Sequence, residues 1–166
     1  MKKDKFLTVM AVLDDDTQSA MSKIQQAIKN KISEGTQTTG IPFHITLGSY
    51  PTDMEDELVC AIDKVVSELE EFSIEFAGYN DFGNRVLFLE PNIPCELLTL
   101  RKEFECDYAE GFDWVPHATL FCGEEHEIAM AKAILDELDL PKRAKIVAIE
   151  LGEFFPPRKI VRKEFR

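Results

Sequence analysis

One tetrapeptide pattern, H-x-T-L, occurs twice in this chain, and its spacing constrains the fold more than any other feature. His44-Ile45-Thr46-Leu47 returns as His117-Ala118-Thr119-Leu120, 73 residues further on. The same offset lays Leu58, Ile62 and Val65, which recur at helical spacing, on Ala131, Leu135 and Leu138. It also lays Ile74 and Phe76 on Val147 and Ile149, pairs that alternate as one face of a strand does. One offset that superposes a tetrapeptide, a helical stripe and a strand face marks a duplicated unit.

Periodicity and capping chemistry place the elements between these anchors. Residues 6–13 are a short apolar run rich in Val and Leu, the pattern of a buried strand. Asp14 to Thr17 offer N-cap chemistry to a helix carrying Met21, Ile24, Ile28 and Ile32, closed by Gly35. Residues 43–50 read as a strand, and Thr52 with Glu55 has capping-box spacing for a helix running to Leu69. A half-buried strand over 72–79, a turn over 80–84 and a strand over 85–90 follow. Then come a helix over 94–106, a strand over 114–122, a helix over 124–138 and a strand over 145–154. Pro156-Pro157 forces a turn, after which 159–165 returns as a strand. The order is strand, helix, strand, helix, strand, and then the same again. The expectation is a single α+β domain over 1–166, built from two pseudo-symmetric βαβαβ-like lobes. These lobes cover about 5–80 and 84–155, with a terminal hairpin strand over 158–166.

Composition narrows the function. Thirty-one Asp and Glu against nineteen Lys and Arg give a net charge of −12. A protein that binds long duplex nucleic acid through many phosphates needs a basic field, and this surface repels a polyanion. A small or terminal phosphate stays compatible, because distant charges are screened beyond about 8 Å. No apolar run approaches the ~20 residues that span a bilayer. The eight-residue run 6–13 meets Asp14-Asp15-Asp16 with no small-residue cleavage site, so no membrane partner is expected and the location expected is the cytoplasm. Cys60, Cys95, Cys106 and Cys122 show neither a C-x-x-C pair nor metal-like spacing to a histidine, and read as small apolar residues in a reducing compartment.

Two of the three histidines occupy equivalent places in the repeat. Side chains alternate along a strand, so His44 shares a face with Thr46, and His117 with Thr119. If the halves pair about a pseudo-two-fold axis, two imidazoles and two hydroxyls surround one groove. Phosphoryl transfer calls for that set: a base for the attacking hydroxyl or water, an acid for the leaving oxygen opposite, and donors for the non-bridging oxygens. Histidines suit both proton roles near neutral pH, and neither a metal nor a cofactor is required. Tyr50 and Phe121 share parity with the histidines and are candidates for stacking on a base at the groove edge, with core packing as the alternative. Trp114, the single tryptophan, either lines the cleft or packs. Arg158, Lys159, Arg162, Lys163 and Arg166 form the one basic cluster, read foremost as a solvated edge strand.

The two motifs, HITL after Pro42-Phe43 and WVPHATL over 114–120, resemble the paired signatures of the two-histidine (2H) phosphoesterase superfamily. That group includes 2′,5′-RNA ligase-like proteins and RNA 2′,3′-cyclic phosphodiesterases. The resemblance implies a duplicated α+β fold with mainly antiparallel sheets flanking a central cleft and helices outside. It also implies metal-independent acid–base catalysis by His44 and His117, with Thr46 and Thr119 binding phosphate. The substrate it implies is a cyclic or 2′,5′-linked phosphodiester of a nucleotide or RNA end. Members that act on RNA cyclic phosphates often carry an arginine soon after the second motif, where this chain has Phe121-Cys122-Gly123. Two other functions would use the same cleft: a non-catalytic nucleotide- or phosphate-binding module, and RNA 2′,5′-ligation.

Overall fold

The structure, a computed structural model, describes residues 4–109 and 113–166. Along them run β1 (Phe6–Leu13), α1 (Asp15–Lys31), β2 (His44–Tyr50), α2 (Glu55–Glu68), β3 (Phe72–Phe82), β4 (Val86–Pro91), α3 (Cys95–Glu103), β5 (Ala118–Cys122), α4 (Glu125–Asp136), β6 (Arg143–Phe154) and β7 (Arg158–Glu164). This is the expected order of elements. Asp14 caps α1, its carboxylate accepting from the Thr17 amide at 3.0 Å. Thr52 and Glu55 do not form the expected capping box. Thr52–Met54 is instead a 3₁₀ turn, Met54 takes the N-cap without a side-chain bond, and the Glu55 carboxylate is engaged by Arg158 at 2.9 Å. A box of that kind occurs at α4, where Glu127 accepts from the Glu124 amide at 2.8 Å.

The strands pair in the order β2-β1-β6-β3-β4-β5, every pair antiparallel, and β7 adds to the second half of β6. Under the 73-residue offset β2 corresponds to β5 and β3 to β6, and by element order β1 corresponds to β4. The strand order therefore reads the same from both ends. At its centre Phe72 pairs with Ile146 and Ser73 with Lys145, two pairs that the offset exchanges. The pseudo-two-fold axis thus passes through the β3–β6 ladder. Each half of the sequence lends its last strand to the other: β6 pairs with β1, and β3 with β4.

One face of the sheet meets the helices and makes the core. β1 contributes Leu7, Val9, Ala11 and Leu13, against Met21, Ile24 and Ile28 of α1 and Leu58, Ile62 and Val65 of α2. Cys60 and Cys95 are exposed because they sit off the buried stripes of α2 and α3, and Cys106 and Cys122 are half-buried; all four are free thiols. Among the described residues no helix is long and apolar enough to cross a membrane.

Candidate active site

The second face of the sheet carries the two motifs. In β2, His44 and Thr46 are half-buried while Ile45 and Leu47 are fully buried, and in the second motif His117 and Thr119 alternate with buried Ala118 and Leu120 in the same way. Both strands then break their alternation at the same place. Met10 pairs with Thr46 but Val9 with Gly48, so Leu47 is an extra residue; Phe88 pairs with Thr119 but Leu87 with Phe121, so Leu120 is one too. These bulges, at positions related by the offset, invert side-chain parity beyond them. Tyr50, at 7% exposure, and Phe121, at 0%, consequently turn into the core, the alternative to stacking at the groove edge. Ser49 and Cys122, their neighbours, border the groove instead.

The two histidines are held alike. His44 Nδ1 lies 2.8 Å from the carbonyl of Pro42, and His117 Nδ1 lies 2.8 Å from that of Val115. A carbonyl only accepts, so each Nδ1 carries a proton and donates it, which leaves Nε2 as the ring nitrogen available for proton transfer. Burial lowers the His44 pKa to about 4; the Pro42 bond opposes this and the charge of nearby His117 adds to it. His44 is therefore a neutral imidazole at neutral pH, with an open lone pair. His117 stands edge-on to Phe82, ring centres 4.9 Å apart, and tilted on Phe88 at 5.4 Å, and its Nδ1 bond is open to solvent.

β2 and β5 end the strand order on either side, yet they lie against one another. Each outer edge is closed by the opposite half of the chain. The Leu47 carbonyl accepts from the guanidinium of Arg101 on α3 at 2.6 Å, and that of Leu120 accepts from Gln25 on α1 at 2.8 Å. Beyond the bulges, Ser49 bonds the segment after α3 through the carbonyl of Cys106 and the amide of Tyr108. Cys122 bonds the segment after α1 through Gln37 and the amide of Thr36. Arg101, only 5% exposed, also grips Asp107 at 2.9 and 3.1 Å and lies 5.3 Å from the ring centre of Trp114. The Trp114 indole N–H donates to the carbonyl of Thr46 at 2.9 Å. Trp114 thus joins the two motifs and does not border the cavity.

The cavity is about 740 Å³, and His44, Thr46 and Thr119 border it, with His117 outside its rim. Its second wall is the flank of α1, one residue on from the core stripe: Ser22, Gln25 and Lys29. Lys29 is the one cation among the described lining residues, with its side chain 15% exposed and its partner Glu34 at 3.5 Å. The basic cluster of β7 does not border the cavity; Arg158 pairs with Glu55 and Glu153, Arg162 with Glu164, and Lys163 with Asp63. Among the described residues no three His, Cys, Asp or Glu side chains gather as metal ligands do. Sequence reasoning missed Ser49, Cys122, Lys29 and Arg101. Only the first two had a signal, since they correspond under the repeat offset.

A sequence model of the 2′-5′ RNA ligase superfamily matches residues 43–153. No curated protein matches the chain. Among solved structures, E. coli LigT in apo form superposes with a TM-score of 0.57 at 13% identity, covering 98% of this chain and 99% of that one. LigT complexed with 3′-AMP gives 0.58 at 14% identity, with the same coverage, and LigT complexed with phosphate gives 0.55 at 13% identity, covering 99% of each. At these identities the likeness is one of fold.

Proposed function

This chain belongs to the 2′-5′ RNA ligase superfamily, the two-histidine phosphoesterases, and on that footing we propose that it hydrolyses a cyclic or 2′,5′-linked phosphodiester of a nucleotide or RNA end. Acid–base catalysis between His44 and His117 carries the reaction. The candidate bonds are 2′,3′-cyclic phosphates, ADP-ribose 1″,2″-cyclic phosphate and 2′,5′-linkages. The observation that carries this reading is the matched pair of imidazoles, each fixed through Nδ1 to the carbonyl two residues back and flanked by a threonine on the same face.

His44 is the base. It is neutral at working pH, and its Nε2 accepts the proton of the attacking water as the new O–P bond forms. As the bond from phosphorus to the ribose oxygen breaks on the opposite side, His117, entering the step as the imidazolium with a proton on each ring nitrogen, gives its Nε2 proton to that oxygen and is left neutral. The two imidazoles then exchange protons with solvent, which restores the starting state. The Thr46 and Thr119 hydroxyls donate to the non-bridging oxygens, where negative charge gathers. Each proton-transfer group contributes on the order of 10²–10⁴ in rate. Lys29 offsets the acidity of the surrounding surface where the anion enters.

The test is turnover in EDTA of a panel holding nucleoside 2′,3′-cyclic phosphates, ADP-ribose 1″,2″-cyclic phosphate and a 2′,5′-linked oligoadenylate. The parent protein turns over at least one member, and His44→Ala and His117→Ala each abolish that turnover while remaining folded. Binding of these ligands without turnover by the parent protein would instead make the cleft a binding module.

A further inference from the structure

The cavity is longer than one nucleotide, and its far end is aromatic. Antiparallel partners share a face, so strand register lays out three rows across the sheet, of which Thr46, Thr8, Ser49, Phe6 and Phe154 border the cavity. The first row is Thr46, Met10 and Glu150; the next is Ser49, Thr8 and Gly152; the last is Phe6 with Phe154. The middle row holds only small side chains, and that is why the floor is open there. At the last row Phe6 and Phe154 are stacked with ring centres 5.7 Å apart, and Phe155 meets Phe6 edge-on at 6.0 Å. All three rings border the same cavity as His44, Thr46 and Thr119. Met10 and Phe6 are four residues apart on one extended strand, so the aromatic row lies about 13 Å from the row of Thr46. A nucleoside cyclic phosphate held at the threonines carries its base across a single ribose ring, over the middle row of small side chains.

We propose that Phe6, Phe154 and Phe155 form a subsite for a second, base-bearing unit of the substrate, beyond the unit whose phosphodiester reacts. The preferred substrate is then a two-unit nucleotide, its distal base against these rings, and not a mononucleotide. The inference rests on the phosphodiesterase reading above.

The test compares kcat/KM for adenosine 2′,3′-cyclic phosphate with two longer substrates. One is a 3′,5′-linked diadenylate ending in a 2′,3′-cyclic phosphate; the other is ADP-ribose 1″,2″-cyclic phosphate, whose distal adenosine is pyrophosphate-linked. The parent protein favours at least one longer substrate, and which one identifies the linkage. In Phe155→Leu and in Phe6→Leu, which fill space without an aromatic face, the ratio of longer to shorter substrate falls roughly 5- to 100-fold, the worth of one base–aromatic stack. Equal kcat/KM for all three substrates in the parent, or a ratio unmoved in both variants, overturns the subsite. Calorimetric binding of the same diadenylate carrying a 3′-phosphate, against 3′-AMP, separates the two readings if no substrate is turned over. Tighter binding of the diadenylate that Phe155→Leu weakens sustains the subsite and removes only the reaction. Equal binding of the two ligands removes the subsite.

Discussion

The indole N–H of Trp114 donates to the main-chain carbonyl of Thr46 across 2.9 Å, so the segment that leads into the second motif holds the strand of the first. Arg101 lies over the same indole and donates to the next carbonyl, Leu47. The two motif-bearing segments are thereby fixed to one another by side chains that do not border the cavity.

Arg101→Met keeps the apolar stem and deletes the guanidinium, leaving the Leu47 carbonyl and Asp107 without their donor. Urea unfolding should show a loss of about 2–3 kcal/mol. Trp114→Phe removes one neutral hydrogen bond and should cost about 1 kcal/mol. Because the two side chains touch, the double variant should cost measurably less than the sum of the singles. Strict additivity would mean that they act independently.

The pKa of His44 gives a signed pH prediction. The unfolded chain protonates this histidine near 6.5 and the folded chain only near 4. Between those values the unfolded state binds more protons, so the contribution of His44 to stability is whole above about 6.5 and is lost as pH falls toward 4. At pH 5 this amounts to no more than about 2 kcal/mol. His44→Gln should flatten that part of the stability–pH curve, as read by urea unfolding at pH 7 and pH 5. In turnover, the acid limb of kcat/KM that belongs to the base should fall near pH 4; a limb near 6.5 would reassign the base.

Thr46→Val and Thr119→Val keep shape and remove one hydroxyl each. If both hydroxyls hold non-bridging oxygens, each substitution should lower kcat on the order of 10²-fold, more than it changes KM. Steady-state kinetics on a turned-over substrate decides this, and a change confined to KM would assign the threonines to ground-state binding alone.

Lys29 is the cation at the cavity wall. Lys29→Ala should raise KM several-fold and reduce its dependence on salt, while Lys29→Arg should retain most of the affinity, because only the charge is required. Equal KM for all three proteins across a salt series would place Lys29 outside substrate binding.

Much of this molecule was legible as a string. The 73-residue offset carried the duplicated order of elements, and the alternation of His44 with Thr46 and of His117 with Thr119 recurs in the burial of both motifs, with His117 one residue before β5. Parity alone left Tyr50 and Phe121 open between stacking and core packing, and the bulges decide for the core. A bulge adds one residue opposite its partner strand, and nothing in Leu47 or Leu120 announces it. Gly48 is explicable only in space: a Cβ there would lie 1.9 Å from the Phe104 carbonyl oxygen, an approach made by the segment after α3.

Local periodicity is a property of the chain, so the sequence by itself determined which residues become strands and helices, that they do so twice, and which polar pairs share a face. Only the tertiary structure decided which strands pair. The exchange of β3 and β6 between the halves, the closing of the β2 and β5 edges by Arg101 and Gln25, and the cavity bordered by Lys29 and the three phenylalanines all join residues far apart in sequence. Such contacts depend on register and on the path of the chain through space, and no local spacing encodes either.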